Sequence, residues 1–319
     1  MSDQLAPPPP TGHPHAGAHA APPVVPGVLS IITVTYNSRH EIAACIESLP
    51  LELLGCAVEV ILVDNASSDG TLEFVRAYYP RVASFSAGAN LGFGAANNIG
   101  VRQSMGEYLL FLNPDTQSTR EALEHCLRRL QTEPGIGIIS PKLVLANGEM
   151  DLACRRSVPT VWDGVTRSTG LSRLFPHVKW CAGYNLTYLQ DGETYQVGAV
   201  NGAFMMMRSS LFARIGAFDE RFFMYGEDLD LCLRCSKEGF KVIYDGQYSV
   251  THLKGSSSRK AYKTMSKALF IGTKQFYLKH FNPGNSRIVR WKYDALFGIW
   301  RAVAGVAAAI KGHKAARPL

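Results

Sequence analysis

The stretch Leu109–Gln117, LLFLNPDTQ, sets four apolar residues directly before Asn113-Pro114-Asp115. A short apolar run bounded by turn residues reads as a strand buried on both faces, the kind found in parallel sheets. In open α/β sheets, ligands bind outside the carboxyl ends of the strands. A carboxamide and a carboxylate delivered to that edge allow two readings. One is an Asx-type turn that simply ends the strand. The other is a place where a charged ligand or metal is held.

Working outward, the same grammar repeats. VLSIITVTYN (28–37) is a β-branched run that turns polar at Asn37, and in HEIAACIESL Ile42, Cys45, Ile46 and Leu49 share a helical face. VEVILVDNASSDGT ends its apolar run at Asp64 and opens a helix through Ser67, Ser68, Asp69 and Gly70. VASFSAG reads as a third strand, NLGFGAANNIGVRQS as a loop entering a helix, and EYLLFLN as a fourth strand. Strands alternating with helices define an α/β fold with a doubly wound, mostly parallel sheet. Asn37, Asp64-Asn65 and Asn113-Asp115 then fall on one edge of it.

After a helix over TREALEHCLRRLQ, residues 136–200 read as a less regular region. Regular signals return with a strand in GAFMMMR, a short helix in SSLFARIG closed by Gly216, and a helix in EDLDLCLRCSKEG. That last helix has acids in its first turn and Gly239 at its end. FKVIYD and YSVTHL read as two further strands. Glu227-Asp228 offers either helix-start acids or a general base for a hydroxyl. His252 offers either a structural histidine or a ligand to metal or phosphate. Cys232 and Cys235 form a CxxC without a second pair, so they read as core-facing rather than as a zinc site. GFGAANNIG lacks the GK[ST] of a phosphate loop and misses GxGxxG at Asn97.

In order and spacing, SIITVTYNS, VILVDNASSDGT, NLGFGAANNIG, YLLFLNPDT, NGAFMMMRSSLFARIGAFDERFFMYGEDLDLCLRCSKEGF and YSVTHLKGSSS resemble the blocks of family 2 inverting glycosyltransferases of GT-A fold. The resemblance spans about residues 29–260. It is closest to bacterial rhamnosyltransferase-type enzymes of surface polysaccharide assembly, in which NPDT stands in place of the usual DxD. The resemblance implies a nucleotide site lined by Thr35, Tyr36, Asn37, Asp64, Asn65, Asp69, Gly92, Phe93, Asn97 and Asn113. It implies Asp115 and His252 as ligands of a divalent metal, Mg2+ or Mn2+, and Asp228 with Glu227 as the catalytic pair. The implied donor is a dTDP- or UDP-sugar, dTDP-rhamnose first, and the implied acceptor a glycan or polyprenyl-diphosphate-linked hydroxyl. Residues 28–116 would form the nucleotide-binding half and 117–260 the acceptor half.

Composition bounds the rest. The chain has 319 residues, 46% hydrophobic and 18% charged, enough for one large domain with extensions. Seven cysteines, an odd number, argue for reduced thiols. Residues 1–27 are rich in Pro, Ala and Gly and read as a disordered tail, whose His13, His15 and His19 are expected to be solvated. They show no signal-peptide pattern, and the protein is expected in the cytoplasm. From Lys254 onward 14 Lys or Arg face one acid, +13, while 19 basic and 25 acidic residues leave −6 elsewhere. A basic helical extension over 261–319, with Trp291, Phe297 and Trp300 in a helical pattern, is expected to lie on the anionic inner face of the cell membrane. The apolar run Ala302–Ile310 is too short to span it. A nucleic-acid binder lacks a recognition motif, and a dehydrogenase lacks the glycine fingerprint after its first strand. A non-catalytic binder of sugar nucleotides remains compatible with Asn113 but not with an acidic pair kept for catalysis.

Overall fold

The computed structural model describes residues 24–253 and 262–298, positions 283 and 296 excepted. Residues 1–23 with His13, His15 and His19, the stretch 254–261, and 299–319 with Trp300 and the apolar run lie outside the described residues.

The N-terminal half alternates strand and helix: β1 (Val25–Thr35), α1 (Ile42–Glu47), β2 (Glu52–Leu53), β3 (Cys56–Asp64), α2 (Thr71–Tyr78), β4 (Val82–Ser86), α3 (Phe93–Gln103) and β5 (Gly106–Leu112). There follow β6 (Thr116–Gln117), α4 (Arg120–Thr132), β7 (Ile136–Val144), β8 (Arg155–Arg156), α5 (Val161–Thr169) and α6 (Leu171–Leu174). The chain continues through β9 (Thr194–Gln196), β10 (Ala199–Val200), β11 (Phe204–Arg208), α7 (Ser209–Ile215), α8 (Glu227–Lys237), β12 (Lys241–His252) and α9 (Tyr262–Phe281). β1 thus starts inside the stretch read as tail.

The main sheet runs β2-β3-β1-β5-β11-β7-β12-β6, with β4 on β3 and β9 on β12. β4, β3, β1 and β5 are parallel, so their carboxyl ends share one edge. β11 enters antiparallel to both β5 and β7, and β12 returns parallel to β7. The sheet is therefore mixed: parallel where helices cross over, antiparallel where the long 145–203 connection lets the chain reverse. Met205, Met206 and Met207 are fully buried in β11, each contributing about 2–3 kcal/mol.

Two sequence expectations change. The region 136–200 is not uniformly irregular, because Ile136–Val144 is a strand at the centre of the sheet. Pro141 masks it by interrupting the run. It aligns with Asp245, where the β7–β12 register shifts between Asp245 and Ser249, so the missing N–H falls at a break in the ladder. For the same reason FKVIYD and YSVTHL form one bent strand, not two. Cys232 and Cys235 are fully buried in α8, as the core-facing reading requires.

α9 packs onto the domain. Phe276 and Tyr277 are buried, and the Tyr277 hydroxyl donates to the Pro159 carbonyl at 2.5 Å. Gly272 lies against the Tyr225 carbonyl, with no room for a Cβ. Gln275 donates to the Arg221 carbonyl at 2.9 Å. A helical stretch from 287 follows, in which Phe297 is buried against Phe270 and Tyr277 while Trp291 is 69% exposed. Phe297 and Trp291 therefore do not share one face toward a membrane. Among the described residues no helix is long and apolar enough to cross one.

The α8–α9 contact centres on Asp230, fully buried, which meets Arg234 at 2.8 Å, Lys279 at 2.6 Å and His280 at 2.7 Å. Burial pushes the Asp230 carboxyl up, but hydrogen bonding to His280 and the charges of Arg234 and Lys279 outweigh it and hold it below its ordinary value. A carboxylate held low stabilises the fold above the ordinary carboxylate range, and that contribution is lost as pH falls through it. Asp230→Ala should therefore destabilise by about 3–5 kcal/mol at neutral pH, with the difference from wild type shrinking below about pH 4. Urea unfolding of both chains at several pH values measures it.

Candidate active site

Pairing of β1 with β3 aligns Thr35 with Asp64 at the carboxyl ends. The Thr35 hydroxyl donates to Asp64 Oδ1 at 2.8 Å, and the Ser67 N–H donates to Asp64 Oδ2 at 2.9 Å. Asn37 stands in the left-handed region, φ 53°. Its N–H donates to the Ser67 hydroxyl at 2.9 Å and its Oδ1 accepts from the Ser68 N–H at 2.8 Å. Asp69 accepts from the N–H groups of Thr71 and Arg39, closing the turn into α2. These bonds tie the two loops into one rigid floor, from which Tyr36 projects half exposed.

Asn65 clamps the next loop, donating to the Gly92 carbonyl at 3.0 Å and accepting from the Leu91 N–H at 3.2 Å. Gly92 has φ 84°, and a Cβ there would strike the Phe223 carbonyl, which accepts from the Phe93 N–H at 3.0 Å. Only glycine meets both demands. Asn97 is buried and uses its amide on the Phe93 carbonyl. The GFG glycines thus seat α3 against the 218–227 segment.

At the end of β5 the Asn113 N–H donates to the Ala203 carbonyl at 3.0 Å. β6 pairs with the end of β12, aligning Thr116 with His252, and the Leu253 N–H donates to the Asp115 carbonyl at 2.9 Å. This brings Asp115 and His252 together, Oδ1 to Nε2 at 3.4 Å. On its other side His252 Nδ1 meets Asp151 Oδ2 at 3.0 Å, and the Asn201 amide lies 3.4 Å from the same oxygen. Burial opposes a charge on His252, but hydrogen bonds to Asp115 and Asp151 prevail and raise its pKa to about 9.

Glu227 and Asp228 open α8 after Tyr225 and Gly226, both in the left-handed region. Asp228 Oδ2 pairs with Arg156 at 2.6 Å and its Oδ1 accepts from the Leu229 N–H at 2.7 Å. Arg156 also donates to the Val200 carbonyl at 2.6 Å. Burial opposes the Arg156 charge, and Asp228 more than restores it. Glu227 is buried with Oε2 lacking a hydrogen-bond partner among the described residues. Burial first, and Asp228 second, push its carboxyl well above the usual range. Neighbouring carboxyls thus sit in different surroundings: the Glu227 carboxyl is buried and pushed up, while Asp228 is ion-paired and fixed in direction.

Residues 200–203 join the two constellations. Val200 meets Arg156, Asn201 meets Asp151, Gly202 faces Phe93 and Asp228, and Ala203 accepts from Asn113. Arg156, Asp151 and Asn201 carried no sequence signal, since nothing local distinguishes a buried arginine or aspartate from a solvated one. Among the described residues no three His, Cys, Asp or Glu are grouped to hold a metal alone. Asp115 and His252 supply two donors, a set that suits a divalent cation only when a ligand such as a diphosphate adds oxygens.

The mixed sheet, with small polar groups at the carboxyl ends of its parallel strands and a pair of acids at the start of α8, has the architecture of GT-A glycosyltransferases. The model for "Glycosyl transferase family 2" matches residues 30–216, and the chain belongs to that family. It is 30% identical over 243 residues to an N-acetylglucosaminyl-diphospho-decaprenol L-rhamnosyltransferase of Mycobacterium tuberculosis, covering 72% of this chain and 78% of the relative. It is 28% identical over 258 residues to the rhamnosyltransferase WbbL of Escherichia coli, covering 75% and 90%. In structure it is similar to a mannosyltransferase of Pyrobaculum calidifontis solved with GDP-Man and Mn2+, with TM-score 0.54 and 17% identity over 91% of this chain and 76% of that one.

Arg156→Met should destabilise by about 3–5 kcal/mol by leaving Asp228 buried without its cation. Adding Asp228→Asn should recover part of that loss, a coupling of about 1–3 kcal/mol in a double-mutant cycle. Additive effects in urea unfolding would contradict the pairing.

Proposed function

We propose that the chain transfers a sugar, with inversion, from a nucleoside diphosphate donor to a hydroxyl of a lipid-linked or polysaccharide acceptor in cell-envelope glycan synthesis. The observation that carries this reading is the 200–203 segment, which sets Asp115–His252 and Glu227–Asp228 on either side of one backbone stretch. Our reading of the donor is dTDP-rhamnose, supported by relatives named rhamnosyltransferases. The mycobacterial relative's name puts its acceptor on a decaprenyl diphosphate, which supports a polyprenyl-diphosphate acceptor for this chain too.

In this mechanism Thr35, Tyr36, Asn37, Asp64, Asn65 and Asp69 receive the nucleoside. Gly92, Phe93 and Asn97 form the wall beside it, and Asn113 bonds the ribose or a coordinated water. Asp115 and His252 would hold a divalent cation, Mg2+ or Mn2+, together with the diphosphate; a neighbour solved with Mn2+ supports this. When bound, the cation offsets charge on the departing diphosphate. Asp228, aimed by Arg156, takes the proton from the acceptor hydroxyl. The oxygen then attacks the anomeric carbon opposite the leaving diphosphate, which inverts it. One displacement suffices, so no covalent intermediate on the protein is needed. Glu227, its carboxyl pushed up by burial and by Asp228, can when protonated donate a hydrogen bond without adding charge. The basic region from Lys254 onward would keep the enzyme at the cytoplasmic face of an anionic membrane, where such an acceptor resides.

Thermal unfolding with dTDP-, UDP- and GDP-sugars, with and without Mn2+ or Mg2+, tests the donor by mass action. A metal-dependent rise with one nucleotide, lost in Asp115→Ala, is expected; no rise with any would reject the donor reading. Asp228→Asn should lower transfer by about 10²–10⁴-fold while donor binding persists. Equal loss of both would remove Asp228 from the base role.

A further inference from the structure

Residues 161–180, VWDGVTRSTGLSRLFPHVKW, project apolar side chains that the transferase reading does not use. Leu174 is 70% exposed, Trp180 65%, Val178 47% and Phe175 45%. The segment is built, not loose. Thr160 and Asp163 form a capping box at the start of α5, and Gly170 closes it at φ 85°. The rings of Trp162 and Trp180 lie 4.2 Å apart, and the Trp162 indole N–H donates to the Trp180 carbonyl at 2.9 Å. The hairpin, pinned by the capping box and the indole bond, therefore holds four large apolar groups in water within the run Leu174 to Trp180, which marks an interaction surface.

The charge around that surface identifies its partner. Arg167, Arg173 and Lys179 are exposed between the apolar residues. The single acid of the segment, Asp163, is buried and bonded to Thr160. Exposed aromatic and aliphatic groups ringed by cations and free of accessible acids complement an anionic lipid interface. An acidic protein groove would satisfy the cations but would not call for Leu174 and Trp180 at this exposure.

We propose that the 161–180 hairpin seats the protein on an anionic lipid bilayer, independently of the basic C-terminal region. Its root lies at the candidate active site: Arg156, bonded to Asp228, precedes Thr160 by four positions. The Pro159 carbonyl between them accepts from Tyr277 of α9. Seating the hairpin thus brings the acceptor side of the site to the bilayer surface, where a polyprenyl-linked acceptor is presented. That use of the surface rests on the transferase reading, whereas the seating does not.

The test uses the full chain and phosphatidylcholine vesicles with or without phosphatidylglycerol, at low salt. The chain has four tryptophans, so Trp291→Phe with Trp300→Phe leaves Trp162 and Trp180 as the reporters. Brominated lipid should quench their emission in anionic vesicles. In the wild-type background, Leu174→Ser with Trp180→Ser should weaken vesicle binding about tenfold or more, and Arg167→Glu with Arg173→Glu should act on anionic vesicles alone. Unquenched hairpin tryptophans would overturn the proposal even if the chain sediments, because attachment would then belong to the C-terminal region. A concentration-dependent dimer abolished by Leu174→Ser, without quenching, would assign the surface to a second copy instead. Nucleotide-induced thermal shifts read the donor site separately, so a failed hairpin and a failed transferase are distinguishable.

Discussion

Strand β11 hydrogen-bonds antiparallel to β5 on one side and β7 on the other, and its three methionines are sealed from water. Because β5 ends at the Asn113–Asp115 edge, an antiparallel neighbour must begin where β5 stops. The residues before Phe204 are therefore delivered to that edge by strand pairing alone. Residues 200–203 owe their position to this constraint, and through them so do Arg156, Asp151 and Asp228. Slipping β11 by one residue would exchange the side chains packed on its two buried faces and break the junction at once.

The acids around that junction are separated by surroundings rather than by type. Asp228 keeps a cation and a backbone donor, whereas Glu227, its neighbour in sequence, has burial and a nearby negative charge. Asp115 and Asp151 share His252 between them. Positive charge is fixed in the site by Arg156, buried in β8 and ion-paired to Asp228. Such a site keeps its charges oriented before a ligand arrives, which lowers the reorganisation a charged transition state demands.

Much of this was legible in the chain. The apolar runs ending in Asn37, Asp64 and Asn113 announced parallel strands with one functional edge, and the structure puts Thr35 and Asp64 in register there. Glu227-Asp228 and His252 stood at a helix start and a strand end, as read. What stayed hidden was tertiary. Pro141 disguised β7, since a proline argues against a central strand until its partner is known to break register opposite it. Arg155-Arg156 looks like ordinary surface charge, and only the fold reveals that Arg156 faces Asp228. Phe297 belonged to an aromatic stripe whose buried side could not be chosen from periodicity alone.

Gly272 and Gly226 meet backbone to backbone, the first against the Tyr225 carbonyl and the second against the Gly272 carbonyl. The Phe222 ring packs beside Gly226 at the same point. α9 therefore sits directly against the turn Tyr225–Gly226 that precedes the helix start bearing Glu227 and Asp228. The family model matches residues 30–216, and the Gly226–Gly272 joint lies C-terminal to that match. A side chain introduced at either glycine would have to push the helix and the turn apart, so the sequences of the two segments constrain each other.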